Sequence, residues 1–86
     1  MSYFWPDGYP LAVQADHEGL PLCLAWDWCP GLHSIWMIAD EWSVDDLWWV
    51  ERKSRDYYKV VTESGQALVI FQDVLTQNWF VQWMFD

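Results

Sequence analysis

The sequence predicts an all-β domain, a small antiparallel barrel or strongly curved meander of about six short strands. Three observations lead there. Short segments rich in β-branched and aromatic residues recur along the chain, and several alternate apolar with polar positions. Gly, Pro, Asn and Asp punctuate them at close spacing. No segment carries the 3.6-residue apolar period of a long helix. The 86 residues show no linker, repeat or low-complexity stretch, so they read as a single domain, 1–86.

Residues 1–10 combine aromatics with Pro6, Gly8 and Pro10 and read as an irregular N-terminal arm. Residues 11–15 read as a short strand, and Asp16-His17-Glu18-Gly19-Leu20-Pro21 as a turn. In 22–28, Leu22, Leu24, Trp26 and Trp28 alternate with Cys23, Ala25 and Asp27, a strand signal. Cys29-Pro30-Gly31-Leu32 is a Pro-Gly turn into a second strand over 33–41. There His33, Ile35 and Met37 share one side, and Ser34, Trp36 and Ile38 the other. Residues 43–50 read as a connection with room for one helical turn, which Ser43 would cap with Asp46 three residues on.

Arg52-Lys53-Ser54-Arg55 holds three of the four basic residues and precedes a strand over 56–62, rich in aromatic and β-branched residues. Glu63-Ser64-Gly65-Gln66 is a hairpin turn. Ala67-Leu68-Val69-Ile70-Phe71 is a near-continuous apolar run, which predicts a central strand buried on both faces. Residues 73–78 form the next turn and 79–85 the last strand.

Nine Trp, four Tyr and four Phe make 20% of the chain aromatic. Average usage would supply about one Trp. A chain of this size buries roughly 9,600 Å², folding from about 15,000 to about 5,400 Å². The aromatic set alone would take roughly 3,400 Å² of that. Aliphatic side chains and backbone need cover too, so several Trp are expected at the surface. An exposed aromatic cluster beyond a few hundred Å² is an interaction site or an aggregation liability.

Thirteen acidic against four basic residues give a net charge of −9. Such a chain is a poor partner for phosphate backbones, which argues against nucleic acid. No apolar run approaches the roughly 20 residues of a membrane helix, and the first residues lack a basic signal-peptide region. At 53% hydrophobic the chain is no disordered segment. Cys23 and Cys29 stand too far apart on an extended chain for a disulfide. Both are expected reduced, which suits the cytoplasm.

Catalytic and metal signatures are sparse. The chain has no glycine-rich phosphate loop, CxxC or HExxH. His17 lies between Asp16 and Glu18, whose side chains point to opposite faces of an extended chain, a poor chelate. Cys29 and His33 flank one turn, with nothing evident to orient the imidazole as a base. No cofactor, metal site or enzymatic activity is expected. The acidic run Asp40, Glu41, Asp45 and Asp46 reads as a solvated loop or as the rim of a surface that meets a basic partner.

From Trp28 onward one spacing stands out. It runs Trp28, His33-x-Ile35-x-x-Ile38, Asp40-x-Trp42, Asp45-x-x-Trp48-Trp49, Arg55-Asp56-Tyr57-Tyr58-Lys59-Val60, Gly65 and Asp73-x-x-Thr76-x-x-Trp79-x-x-Gln82-x-x-Phe85-Asp86. Over roughly residues 22–86 this resembles a small uncharacterised bacterial domain, found near or fused to Y-family-polymerase-like proteins of mutagenic repair. The resemblance offers no catalytic residues. Members of that family usually carry polar or basic groups at outward positions. Here those positions hold Cys29, Leu32, Trp36, Met37, Leu47, Val50 and Trp83, and the family's Trp-Arg-Gly turn reads Trp28-Cys29-Pro30-Gly31. Loss of charge together with gain of large apolar groups is what a natural scaffold would show if its surface were rebuilt to bind another protein.

The expected function is therefore non-enzymatic protein binding. Trp36, Met37 and Trp83 would be the anchors, Leu47, Val50 and Leu32 would extend the patch, and Asp40, Asp45, Asp46 and Glu51 would form an acidic rim. A module of this kind would self-associate in the absence of its partner. The alternative implied by the resemblance is a natural accessory protein-interaction domain of a bacterial translesion-repair system. A third reading places a small-molecule site in a barrel mouth lined by His33, Tyr57 and Tyr58. Trp28, Trp42, Trp48, Trp49 and Trp79 match the family-like pattern and read as scaffold, while Trp5 and Trp26 stay unassigned.

Overall fold

Apolar alternation interrupted by turns folds the chain into β-strands throughout. The computed structural model describes residues 2–26, 29–47 and 52–85, and for residues 29, 30, 46, 47, 52 and 53 the backbone alone. Six strands follow in order: β1 (Tyr3–Ala15), β2 (Pro21–Trp26), β3 (Cys29–Leu47), β4 (Arg52–Thr62), β5 (Ala67–Asp73) and β6 (Trp79–Phe85). All pairings are antiparallel between consecutive strands, and β6 returns to β1, so the order closes into a small barrel. The all-β class is the one the sequence predicts. No helix of the described residues is long and apolar enough to cross a membrane.

Three strands exceed the short elements expected: β1, β3 and β4 run 13, 19 and 11 residues. Two of them are long because each serves two partners. In β1, residues 3–11 pair with β6 and residues 12–15 with β2. In β3, residues 29–34 pair with β2 and residues 35–47 with β4. A strand that changes partner along its length makes a corner; in β3 the register slips beside the changeover, between Ile35 and Met37, and in β1 it slips further on, between Gln14 and Ala15.

Local expectations change accordingly. Residues 3–10 are not an irregular arm. They belong to β1, where a register shift between Phe4 and Tyr9 absorbs Pro6 and Gly8. Cys29 already pairs with Trp26, so residues 29–32 open β3 instead of forming a turn. Ser43 caps no helical turn, because residues 43–47 continue β3 against β4. The 16–20 turn forms as read. The Asp16 carboxylate accepts from the N–H groups of Glu18 at 2.8 Å and Leu20 at 2.9 Å.

The barrel interior holds Leu11, Leu24, Trp26, Tyr58, Val60, Leu68, Ile70, Trp79, Val81 and Met84. β5 is buried on both faces, as its unbroken apolar run predicts. Leu68 and Ile70 enter the interior, while Val69 and Phe71 join Tyr57 in a second cluster on the outside. The molecule exposes 5789 Å², somewhat above the size-based expectation.

Candidate interaction surface

An antiparallel sheet with one face to water normally alternates apolar-in with polar-out. The outer face of β3 to β6 departs from this. Trp42, Tyr57, Phe71 and Phe80 are successive cross-strand partners. Their rings meet in sequence at 5.4, 5.2 and 5.2 Å between centroids. Cross-strand aromatic pairs of this kind stabilise a sheet directly. The Arg55 guanidinium lies 4.5 Å over the Phe71 ring, and its Nη1 donates to the Tyr57 hydroxyl at 3.3 Å. Phe71 is thereby only 1% exposed although it faces outward.

A second apolar row lies on the same face, separated from the first by the row of Asp40, Lys59, Val69 and Trp83. Met37, Val61, Ala67 and Phe85 are successive partners across the same four strands. Trp83 stacks on Phe85 at 5.3 Å and meets Phe4 of β1 edge-on at 5.2 Å. The Lys59 ammonium lies 5.5 Å over the Phe85 ring. Together these residues make an apolar band from β3 across to β1.

The predicted anchors fall on this band unevenly. The register slips between Ile35 and Met37, so Trp36 is the extra residue of a bulge. The slip also reverses the phase of the strand. Met37 faces outward with Val61 and does not share the interior side of His33 and Ile35, as the simple alternation implied. Trp36 and Met37 thus stand exposed side by side, and Trp83 lies three strands away at the other end of the band. Leu32 is exposed but apart. It borders a cavity of about 210 Å³ with His33, Ser34, Thr62, Glu63 and Ser64. Leu47 and Asp46 are paired to β4 through their backbones, their side chains lying outside the description. Val50 and Glu51 lie outside the described residues, as do Trp28, Trp48 and Trp49.

Of the acidic rim, Asp40 and Asp45 are exposed on β3. Asp40 sits opposite Lys59, and its carboxylate accepts from the Glu41 N–H at 2.9 Å. Sequence reasoning missed two members of the surface. Trp42, read as scaffold, lies flat on Tyr57 yet remains 41% exposed, and Phe4, placed in the supposed arm, is 54% exposed. Trp26 resolves as core, stacked on His33 at 4.5 Å. Trp5 packs against the core between Tyr3 and Tyr9.

His33, Tyr57 and Tyr58 do not line a common mouth. Tyr57 faces out, Tyr58 faces in, and His33 lies against Trp26. A different constellation occupies the middle of the β3–β4 pair. Glu41, Trp42, Ser43, Asp56, Tyr57 and Tyr58 border a cavity of about 340 Å³. The Ser43 hydroxyl donates to the Asp56 carboxylate at 2.7 Å. Burial pushes the Tyr58 hydroxyl pKa up, and the Asp56 and Glu41 charges push it the same way. Carboxylates beside an aromatic wall attract cations. Cys23 carries a free thiol near the Gln14 side chain, 3.3 Å from its Oε1.

Comparison with protein-family models, with curated proteins and with solved structures returns no match. No residue role is therefore carried over to this chain from a relative, and the surface is read on its own chemistry.

Proposed function

We propose that the chain is a non-enzymatic protein-binding module whose contact surface is the outer apolar band. The observation that carries this reading is the exposure of large apolar side chains on one sheet face. Trp36 is 67% exposed, Phe4 54%, Met37 41% and Trp83 40%. Interface cores are enriched in Trp, Tyr, Phe and Met and depleted in Lys and Glu. Asp40 and Asp45, with Asp46 and Glu51 from the sequence, supply an acidic rim that steers toward a basic partner. Leu47 and Val50 would add apolar side chains from the sequence, whereas Leu32 lies apart from the band. If the resemblance holds, Trp36, Met37 and Trp83 would stand where its members carry polar or basic groups, which favours a scaffold rebuilt for binding over an accessory domain of translesion repair. The free Cys23 thiol suits a reducing compartment such as the cytoplasm.

The test is capture from a displayed protein library by the intact chain, repeated with Trp36→Ala and Trp83→Ala. Light scattering after size exclusion separates partner binding from self-association. A true partner loses at least about 30-fold in affinity with either variant, equivalent to about 2 kcal/mol, while the thermal midpoint holds. Full affinity in both variants, or unfolding of both, overturns the reading.

A further inference from the structure

β3 spends residues 29–34 on β2 and residues 35–47 on β4. Among the described residues no strand pairs with the other edge of residues 36–47. Alternate residues of a strand direct their N–H and C=O groups to each edge, so an uncovered edge is a template for another strand. Register slips at Ile35/Met37 and Ile38/Asp40 blunt its first part. From Asp40 to Leu47 the pairing with β4 is unbroken, eight residues in succession. That is long enough to carry a short peptide strand.

The space beside this edge is open and acidic. One cavity of about 360 Å³ is lined by Leu20, Ile38, Ala39, Asp40 and Glu41. The 340 Å³ cavity on the inner side also includes Glu41, together with Ser43 and Asp56. Glu41 therefore borders both cavities. Trp42, flat on Tyr57, offers an aromatic face at the same edge. Side chains of an added strand would alternate between the inner side, with Glu41 and Asp56, and the outer side, with Trp42 and Asp40. The inner side favours cations through its carboxylates, while on the outer side Asp40 already faces Lys59 and Trp42 offers the aromatic face.

We propose that residues 40–47 of β3 accept an extended, Lys- or Arg-bearing segment of a partner protein as an added β-strand, its cationic side chains directed to Glu41 and Asp56. The proposal rests on the reading of the chain as a protein-binding module and adds the mode of binding. A second copy of the chain is the poorer occupant. It would bring its own Asp40 and Glu41 to the same edge, in a molecule of net charge −9. Main-chain pairing would give the affinity, and the alternating carboxylates the selection for basic sequence.

The probe is a fluorescein-labelled octapeptide alternating Lys and Val, with both ends blocked. Its comparators are the same peptide methylated on the four central amide nitrogens, and a Glu–Val peptide. Fluorescence anisotropy reads affinity, and amide hydrogen exchange reads protection over residues 40–47. The Lys–Val peptide binds and slows exchange of alternate amides there. The methylated peptide binds at least tenfold more weakly, and the Glu–Val peptide does not bind. Glu41→Lys weakens the Lys–Val peptide at least tenfold, whereas Leu75→Ala, on the exposed turn before β6, leaves it unchanged.

Absence of Lys–Val binding overturns the proposal, as does equal binding of the methylated peptide, which would mean charge without strand pairing. Concentration-dependent dimers protected at these same amides without peptide assign the edge to a second copy and also overturn it. Each of these results leaves the apolar-band reading to its own test, because that test turns on Trp36 and Trp83, which lie outside residues 40–47.

Discussion

Gly8 is where β1 presses on the outer aromatic cluster, and replacing it with Ala measures how hard. Its φ is +85°, in the left-handed region. A methyl group at this position would stand 2.7 Å from Phe71 Cζ and 2.7 Å from Phe80 Cβ. Phe71 has nowhere to retreat, being 1% exposed beneath Arg55 and between Tyr57 and Phe80. The left-handed backbone costs Ala about 1–2 kcal/mol. A stiffer unfolded chain returns about 0.4–1 kcal/mol. Overpacking against the two Phe rings adds about 1–3 kcal/mol.

Gly65→Ala is the internal control. Gly65 has a φ of +91°, and a methyl group there meets nothing within 4 Å. It carries the backbone strain without the collision. Gly8→Ala is therefore expected to lose about 1–3 kcal/mol more than Gly65→Ala. In a domain of this size that is a further fall in thermal midpoint of roughly 5–20 °C. Differential scanning calorimetry and urea unfolding of the two variants supply the comparison. Equal losses would refute the account, because they would mean that the shifted segment of β1 does not lie against Phe71.

Other substitutions probe separate parts of the molecule. Tyr58 has its pKa raised by burial and by Asp56 and Glu41, so above about pH 10 the unfolded chain gives up this proton first and folding loses stability. Tyr58→Phe removes that term, and the thermal midpoint of the parent should fall faster between pH 9 and 11 than that of the variant; parallel curves would contradict it. Asp16→Ala strips the acceptor for the Glu18 and Leu20 N–H groups and should cost about 1 kcal/mol in urea unfolding. Phe71→Ala should cost about 3–5 kcal/mol, as a core Phe does, despite its place on the outer face. A loss under 1 kcal/mol would show that the second cluster is loosely packed.

The strand content was legible because it rests on local pattern. The run over 67–71 announces a strand buried twice, and Asp16 with Gly19 announces its turn. What escaped was decided by partners distant in sequence. Met37 points outward only because β3 slips against β4, and nothing between Ile35 and Ile38 marks the slip. Ser43 and Asp46 carry the lettering of a helix cap, yet β4 captures them, and Ser43 bonds Asp56 instead. Pro6, Gly8 and Pro10 look like breakers, and a strand can hold them because the register against β6 skips there. Trp42 matched a scaffold pattern but stands at an uncovered edge. Its exposure follows from β2 ending early, a fact about β2 and not about Trp42.

The pairing of β1 with β6 differs in kind from the other five. Each of those joins strands that follow one another directly, whereas this one brings Tyr3 to Met84. Closing a loop of that length costs about 2.5 kcal/mol more in chain entropy than closing a short turn. The hairpins can form piecemeal, but the seam is favourable only once both of its flanks are in place. By loop entropy it is the pairing expected to form last in folding. Release would uncover Trp79 and Val81 together, so the stability of the seam also sets how often the interior is offered to solvent and to neighbouring molecules. Gly8, pressed on Phe71 and Phe80, is a rivet across that seam, and the buried aromatics of the outer face act in part as the clasp of the ring.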